Sequence, residues 1–417
     1  MRRLLSVLAA LLLLAGCGKR ERLNPFDPAN PVTGGRPAGF VALAGNGLAR
    51  LRWDATSTPE LLGYQLQRRA ATESTYRVIA ALLPTSTTSI GDFGLLNGVD
   101  HHYRLYFVFL SGTSGPPAED VATPGPLRPW VADGGLGSLV RLTADGRHVA
   151  FEQTGFPGPS GVAVDMAGGL VWLTDPFAHI VTIYDPSTGN QIVIGSSLVS
   201  PGAVAIDPAD RTAWVCDAGI NQVLHFTPSG GPAIPAQLTS IDDPLDVAVD
   251  PTDRSVWVCE RGADHVRHYS ATGVLSATAT VTAPSRVAVD SLTHEAWVTS
   301  FDGRNVVRLS PAAVPLNTVG GFSGPIGIAV DARRGRIWVA DALGDRLVAL
   351  RRDGSVEFRV AGLSEVRAIA LDLASGEAWC TTPGSGRVAR VSAAGVVLQN
   401  AGGLGAPDGI AMGVGAP

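Results

Sequence analysis

Acidic side chains recur at one repeated place in this sequence, at the end of a short apolar run that contains a tryptophan. Charged residues also stand just before a different apolar run, where small residues are commoner. The first group is Asp133, Asp175, Asp217, Glu260 and Asp341, and the second is Asp246, Arg286, Arg367 and Asp408. Carboxylates that converge on a narrow opening repel one another unless a cation or a basic group neutralises them. The pattern therefore predicts a mixed-charge recognition rim.

Two other interpretations of this candidate rim stay open. The acids would also serve as loop caps that face water. A divalent cation, calcium or magnesium, could bind among them, but no cofactor is predicted because no spacing matches a metal motif. His265 and His268 are three residues apart on a predicted strand, so they face opposite ways and do not chelate. No complete catalytic signature is present.

The elements that must position these residues follow a repeat. Tryptophan recurs at steps of 40 to 43 residues, and an Asp that closes a preceding apolar strand keeps the same steps. The tryptophans are Trp130, Trp172, Trp214, Trp257, Trp297, Trp338 and Trp379, and the closing acids are Asp165, Asp207, Asp250, Asp290, Asp331 and Asp372. A period of this length with several short strands in each unit indicates propeller blades.

The repeat resembles the NHL-repeat propellers. The best match is the strand Pro325–Asp331, PIGIAVD, followed by the strand Ile337–Asp341, IWVAD. The resemblance covers roughly residues 127 to 417 and implies an all-β propeller. It is weak for function, because propellers host unrelated activities.

The two ends of the repeat array complement each other. Trp130–Asp133 reads as a second strand without a first, and Pro407–Met412 reads as a first strand without a second. If these two strands pair, they complete one blade and close a ring of seven. Closure protects the two edges that an open array would expose.

Residue types that return in every blade are predicted to be structural. The tryptophans form a core between blades, and the closing acids accept backbone N–H bonds in the next turn. Cys216 and Cys259 occupy a slot that is small in the other blades, as expected for small apolar residues. A disulfide stays open in an exported protein.

The N-terminus predicts export and anchoring. Arg2 and Arg3 precede an apolar run, Leu4–Leu14, that is too short to span a bilayer. This is typical of a signal peptide, 1–17, and the small residues before Cys17 resemble a bacterial lipobox. The resemblance implies cleavage before Cys17, lipidation there and a place in the cell envelope. Gly18 and Lys19 follow, so the Asp that marks inner-membrane retention is absent and the outer membrane is favoured.

The charge argues against nucleic acid as a partner. The chain has 32 Lys and Arg against 37 Asp and Glu, a net charge of −5. Loss of Arg2 and Arg3 leaves 30 against 37, or −7. An acidic chain without a basic cluster does not suit a phosphate backbone.

Composition divides the rest of the chain. Residues 18–37 are rich in Pro, Asn and Gly and predict a flexible tether, and 124–129 predicts a Pro-rich linker before the propeller at 130–417. Between them, 38–123 alternates as a β-sandwich would. Trp53, Tyr64 and Leu95–Gly98 make this region resemble fibronectin type III, although His101 stands where that family has a tyrosine.

Two propeller enzyme families provide the alternative to binding. Streptogramin lyases are similar in repeat, with His in the strand lead-ins and Glu at the second-strand end; here only Glu260 matches. Gluconolactonase-like propellers bind a divalent metal, and again only Glu260 can be nominated. We therefore expect a monomeric, lipid-anchored envelope protein that binds a protein or glycan partner. A metal-dependent lactonase or lyase, and a purely structural envelope component, are the alternatives.

Overall fold

A computed structural model describes residues 24–413, apart from positions 29, 31–32, 46, 57, 97–98, 123, 126, 196 and 239. The predicted signal peptide 1–17 and its Cys17 lie outside the described residues. The chain divides into two compact units, Met1–Pro124 and Gly125–Pro417. The described part of both units is built from β-strands, and none of its residues belongs to a helix long and apolar enough to cross a membrane.

The first unit packs two antiparallel sheets around one core. Its strands are β1 Val41–Gly45, β2 Leu48–Arg52, β3 Gly63–Ala70, β4 Arg77–Pro84, β5 Ser89–Phe93, β6 His101–Phe109 and β7 Gly112–Ala122. The sheet orders are β1-β2-β5 and β4-β3-β6-β7. Alternate residues of β6 are buried, as period-two alternation requires. Trp53 and Tyr64 pack in this core with ring centroids 5.4 Å apart.

A buried polar group joins the two sheets of the first unit. Asp92 on β5 accepts hydrogen bonds from Arg68 Nη1 on β3, at 2.7 Å, and from the Tyr103 hydroxyl on β6, at 2.9 Å. Burial raises the pKa of Tyr103, so its hydroxyl keeps the proton that it donates. Burial also lowers the pKa of His101, which leaves that imidazole neutral at neutral pH.

The predicted tether at 18–37 is wrong for the part that the structure describes. The Phe26 ring lies 4.8 Å from Phe107 and 4.9 Å from Phe109, centroid to centroid, both edge to face. Asn30 is buried, and its side chain donates to the Asn24 carbonyl and accepts from the Thr33 N–H. An aromatic anchor and local side-chain bonds outweigh the turn-rich composition from residue 24 onward.

The second unit begins with a strand inside the predicted linker, and its strands run in groups of four. They are β8 Arg128–Asp133, β9 Ser138–Leu142, β10 Val149–Thr154; β11 Val162–Asp165, β12 Leu170–Asp175, β13 Ile180–Tyr184, β14 Gln191–Ile194; β15 Pro201–Ile206, β16 Ala213–Asp217, β17 Gln222–Phe226, β18 Pro232–Leu238; β19 Pro244–Val249, β20 Val256–Glu260, β21 His265–Tyr269, β22 Leu275–Thr280. The remaining strands are β23 Pro284–Asp290, β24 Glu295–Ser300, β25 Asn305–Leu309, β26 Pro315–Val319; β27 Pro325–Asp331, β28 Arg336–Asp341, β29 Arg346–Arg351, β30 Val356–Ala361; β31 Ile369–Asp372, β32 Glu377–Thr382, β33 Arg387–Val391, β34 Val397–Ala401; and β35 Pro407–Gly413. Short 3₁₀ turns lie at Ala342–Gly344 and Pro383–Ser385.

These strands form antiparallel four-stranded meanders. Across the described residues of the second unit there are seven such sheets, six of them with strands in chain order. The seventh has the order β10-β9-β8-β35, in which Ile410 pairs with Val131 and Ala411 with Trp130. The C-terminal strand thus completes the sheet that opens the unit, as its sequence predicts. We call β35, β11, β15, β19, β23, β27 and β31 the first strands, and their hydrogen-bonded neighbours β8, β12, β16, β20, β24, β28 and β32 the second strands.

The repeated tryptophans are core residues. Each sits in a second strand and is at most 2% exposed. The cross-strand partner on the third strand often lies over the indole: Arg141 lies 5.3 Å above Trp130, and His225 stacks on Trp214 with centroids 3.8 Å apart. Trp257 and His268 stack in the same way at 4.0 Å. These histidines are therefore packing groups.

The closing acids bind their own turns, as predicted, and also join neighbouring sheets. Asp165 accepts the N–H groups of Ala167 and Gly168. Its other oxygen lies 2.7 Å from Nε of Arg211, which belongs to the next sheet. Arg352 reaches Asp290 at 2.7 Å in the same manner. The sequence periodicity revealed the turn role but not this pairing between sheets.

The three cysteines in the described part of the chain, Cys216, Cys259 and Cys380, are buried and free. Burial raises the pKa of all three thiols. In other sheets the slot of Cys216 holds threonine, and Thr174 Oγ1 donates to the Gly202 carbonyl of the next sheet at 2.6 Å. The slot is therefore small because a neighbouring first strand lies against it.

Candidate functional site

The acids at the ends of the second strands do not form an exposed rim. Asp133, Asp175, Asp217, Glu260 and Asp341 are each at most 1% exposed. The prediction that these five carboxylates ring an open mouth is wrong. Side chains alternate along a strand, and each acid points into the loops beneath the surface rather than into the opening.

Four of these buried acids are acceptors for loop backbone. Asp133 accepts the N–H groups of Gly135, Leu136, Gly405 and Ala406. Asp175 and Asp217 accept comparable groups from the loop that leads into the neighbouring first strand and from the loop after their own strand. Asp341 accepts two such groups from the lead-in loop and also pairs with Arg346 at 2.7 Å. A carboxylate that accepts several backbone N–H bonds is satisfied without a cation. These residues hold the loops at this end of the unit in place.

Glu260 is the exception among the second-strand ends. Its side chain is fully buried, and Oε1 lies 2.8 Å from Nε of Arg267. The angles at this contact do not suit a hydrogen bond, so the interaction is an ion pair. Burial raises the pKa of Glu260 to about 7, and the Arg267 charge opposes that rise. Glu260 does not line the neighbouring cavity, so it is not placed to act on a ligand there.

A cavity of about 560 Å³ opens at the same end of the unit, and residues of all seven first strands or their lead-ins border it. Its charged lining includes the four remaining members of the candidate rim, Asp246, Arg286, Arg367 and Asp408. Pro176, Ala218 and Arg261, which directly follow three of the buried acids, also line it. The strand ends thus reach the predicted place, but at three of them the residue after the acid lines the cavity instead.

Asp246 and Arg286 form a loose pair across two adjacent first strands. Arg286 Nε lies 3.8 Å from Asp246 Oδ1, while Asp246 Oδ2 accepts the Val287 N–H at 2.8 Å. Asp246 is 13% exposed and Arg286 is 36% exposed. Burial raises the pKa of Asp246 to about 6, and the Arg286 charge and backbone N–H groups oppose that rise. This perturbed acid is the residue of the cavity most easily protonated near neutral pH.

Two further pairs of opposite charge line the cavity. Arg367 Nη1 lies 3.4 Å from Asp408 Oδ1, and their side chains are 43% and 31% exposed. Arg261 Nε donates to Asp243 Oδ2 at 2.8 Å. The sequence analysis missed Asp243 and Arg261, although their signal was present: Arg261 directly follows Glu260, and Asp243 directly precedes β19. Three acids and three arginines leave this cavity close to neutral overall.

A cluster with metal-ligand chemistry lies elsewhere in the second unit. Ligand atoms of Asp250, Asp253 and His294 lie within 4.8 Å of one another. The equivalent place in the preceding pair of sheets holds Arg254 with Asp207 and Asp210. His294 therefore occupies the place of an arginine, and its Nδ1 donates to Asp250 Oδ2 at 2.8 Å. The cluster is accounted for by an ion pair between sheets.

Comparison with known proteins shows the fold of the second unit. No protein-family model and no curated protein matches the chain. Among solved structures, virginiamycin B lyase from Staphylococcus aureus matches with a TM-score of 0.52 at 17% identity, covering 59% of this chain and 84% of that one. A streptogramin B lyase matches with a TM-score of 0.53 at 16% identity, covering 61% and 86%. A functionally unknown protein from Desulfotomaculum acetoxidans matches with a TM-score of 0.59 at 16% identity, covering 69% and 99%.

Identities this low establish architecture alone. The second unit is β-propeller-like, and the repeat that the sequence predicts is real. None of the described residues that line the cavity is a histidine or an aromatic residue. The arrangement offers charged pairs and an apolar wall for recognition, without an assembled nucleophile and base.

Proposed function

We propose that this protein is a lipid-anchored binding module of the bacterial cell envelope. In this proposal a fibronectin type III-like domain presents a seven-bladed propeller, and the cavity bordered by the first strands recognises a protein or glycan partner. Cys17 carries the lipid, and Gly18 and Lys19 after it favour the outer membrane. The single observation that carries the binding role is the cavity with its three pairs of charged residues.

The blade number is supported by strand pairing. Each four-stranded meander corresponds to one blade, and the pairing of β35 with β8 supplies the seventh. Covalently distant strands that complete one sheet remove two free edges, which favours a closed and soluble ring. The two packed sheets of the first unit suit a spacer of the fibronectin type, because such sandwiches join other domains at their two ends.

The binding role follows from which residues vary. The buried acids recur in most blades and hold loops. By contrast, Asp246 and Arg286 share one repeat position and Arg367 and Asp408 share the preceding one, and the other five blades have uncharged residues at each. Residues that hold loops repeat because every blade needs them, so charges that break the repeat are not explained by that structural role. Convergent polar groups in an otherwise apolar cavity are the usual form of a ligand site.

A site-specific crosslink tests the binding role. A photoreactive residue at Ala218, in the cavity wall, should trap one discrete partner in intact cells of the source bacterium. The same residue at Val314, exposed on an outer turn, is the matched control and should not trap that partner. Equal crosslinking from both positions, or none from Ala218, would contradict the proposal.

Fractionation tests the anchor. Wild-type protein should sediment with membranes and dissolve in detergent, whereas Cys17→Ser should appear in the soluble fraction. A Cys216→Ser variant is the control, because that thiol is buried in the second unit. A Cys17→Ser protein that stays in the membrane would show that the anchor lies elsewhere.

A metal-dependent lactonase or lyase is the second candidate. It is favoured by the raised pKa of Asp246 in a cavity, since perturbed acids often serve as general acids or bases. Metal analysis after purification in dilute calcium and magnesium, with a screen of lactones and cyclic peptides, would test it. Activity abolished by Asp246→Asn would establish the enzyme in place of the binding module.

A further inference from the structure

We propose that Arg286 and Arg367 form a clamp for a carboxylate on an acidic segment of a protein partner. This inference rests on the proposed binding function and names the chemistry of its ligand. Its starting point is that the two guanidinium groups line one cavity and approach the nearest aspartates only loosely.

Two of the three charged pairs in the cavity, those of Arg286 and Arg367, are looser than most arginine pairs of the second unit. Arg211, Arg352 and Arg334 approach their aspartates to 2.7, 2.7 and 2.8 Å. Arg286 Nε and Arg367 Nη1 remain 3.8 and 3.4 Å from theirs. Contacts of 3.4 Å and more are weak or absent hydrogen bonds. Arg286 Nη1 does donate to the Ser285 carbonyl at 3.0 Å, but the other donors of Arg286, like most of those of Arg367, are not taken up by an aspartate.

The acids of the cavity are less available than the arginines. Asp246 Oδ2 accepts the Val287 N–H, and Asp243 accepts from Arg261 Nε, both at 2.8 Å. Asp408 alone keeps a long contact, and it is the group that an incoming carboxylate would displace from Arg367. The side-chain groups of the cavity that can still form hydrogen bonds are therefore mainly the donors of arginines. Positively charged donors favour an anionic ligand.

The strand between the two arginines carries no side chain at the equivalent position. Arg286 lies on β23 and Arg367 lies two residues before β31, so β27 is the first strand between them. β27 carries Gly327 at the position of Arg286, and a Cβ there would lie 2.0 Å from the carbonyl oxygen of Arg367. The backbone beside Arg367 therefore packs directly on Gly327, which requires a glycine there. Two arginines that line the same cavity can each offer a planar fork of donors to a carboxylate bound in it.

The rest of the lining favours a peptide over a sugar acid. Among the described residues of the cavity wall there is no aromatic ring on which a pyranose could stack, while Val162, Val204, Ile328, Ile369 and Ile410 supply an apolar wall. A peptide offers an acidic side chain beside apolar groups, which matches this combination. A uronic acid oligomer also carries carboxylates, so it serves in the test as the competing glycan ligand.

Fluorescence anisotropy tests the clamp directly. The probes are a labelled peptide of alternating Glu and Ser, its counterpart of alternating Gln and Ser, and tetragalacturonic acid, each with the full mature chain. We expect the Glu peptide alone to bind. Arg286→Gln with Arg367→Gln should weaken binding about tenfold or more, because two charge-assisted pairs are lost. The matched control is Arg333→Gln with Arg359→Gln, which removes the same charge from exposed residues outside the cavity and should change affinity little.

Lysine variants separate geometry from charge. Arg286→Lys with Arg367→Lys keeps the charge but loses the planar fork, so binding should still fall. If the double Gln variant fails to fold, Arg367→Gln alone provides the test, since its side chain is 43% exposed and makes one long contact.

Several results would overturn the clamp. Equal binding of the Gln peptide, or an equal loss in the Arg333 and Arg359 control, would show that the two arginines do not read a carboxylate. Binding of tetragalacturonic acid in place of the peptide would replace the protein ligand by a glycan. A crosslink from Ala218 that persists in the double Gln variant would leave the binding function standing while the clamp fails. Loss of both crosslink and peptide binding in the wild type would remove both proposals.

Discussion

Two sets of charged residues reach the same end of the propeller, and they serve different purposes. The second-strand acids are buried and accept loop N–H groups, as Asp133 does with four of them. The first-strand set, represented by Asp246 and Arg286, is partly exposed in a cavity and loosely paired. The acids that recur, in five of the seven second strands, are buried and mostly used in holding loops, whereas the charged residues that break the repeat stay partly exposed. Repetition is therefore a better guide to role than charge.

The largest loss of stability should come from deleting residues 407–417. The deletion removes β35, exposes the edge of β8 and takes away Asp408 together with the strand that closes the array. Loss of one buried side chain such as Ile410 alone costs roughly 1.5–3 kcal/mol, and the edge adds aggregation. We expect insoluble protein or a strongly lowered unfolding temperature. Thermal unfolding equal to that of the full chain would show that the ring does not depend on this strand.

Asp133→Ala should cause the next largest loss. It leaves four loop N–H groups without their acceptor, and each unpaired buried group costs about 1–3 kcal/mol before the loops relax. We expect a loss of about 3 kcal/mol in unfolding free energy, measured by urea denaturation.

Asp408→Ala is the matched variant, because it removes an acid from the cavity at the same end of the unit. Its single contact is long and 31% of its side chain is exposed, so stability should change by less than about 1 kcal/mol. Similar losses in the two variants would erase the distinction between structural and cavity acids.

Asp246 should give a pH-dependent effect of intermediate size. Because its folded-state pKa is raised to about 6, the folded protein binds this proton more tightly than the unfolded chain. Unfolding free energy should therefore fall as pH rises from about 4 to 6 and level off above, by an amount on the order of 1–3 kcal/mol. Asp246→Asn can still accept the Val287 N–H and should remove this slope. A wild-type profile that matches the variant would show that burial does not perturb Asp246.

The smallest effect concerns His294, where a titrating group replaces an arginine. Its hydrogen bond to Asp250 raises the pKa of His294, so its stabilising charge is present at low pH and lost as pH rises through the raised value. The imidazole is 37% exposed, which limits the contribution to below about 1 kcal/mol. His294→Arg should keep the pair at alkaline pH, like Arg254 in the preceding blade. Unfolding temperatures measured at pH 6 and pH 9 should differ less in this variant than in the wild type.

Much of the fold could be predicted because packing repeats. Trp130 and its equivalents recur where each second strand needs a large buried group, and the closing acids recur where each turn needs an acceptor. The pairing of β35 with β8 was also predictable, since each fragment lacked the strand that the other supplied. The tether at 18–37 was mispredicted from residue 24 onward, because composition does not reveal that Phe26 meets Phe107 and Phe109.

The candidate site was predictable only in part, for a reason of geometry. Sequence spacing places Asp217 and Ala218 at the same end of a strand, but a one-residue step decides which of them is buried and which lines the cavity. The first-strand residues Arg286 and Arg367 were identified because they broke the repeat. The long contacts of these two arginines with their aspartates, and the need for glycine at position 327, depend on how closely neighbouring blades approach.

The sequence by itself determined the repeat, the strand order and the identity of the residues that interrupt the repeat, because these depend on local period and side-chain size. Only the tertiary structure decided which carboxylates are consumed by backbone N–H groups and which arginines keep free donors. Those outcomes depend on how closely strands far apart in the chain approach one another, as the contacts of 2.7 Å at Asp290 and 3.8 Å at Asp246 show.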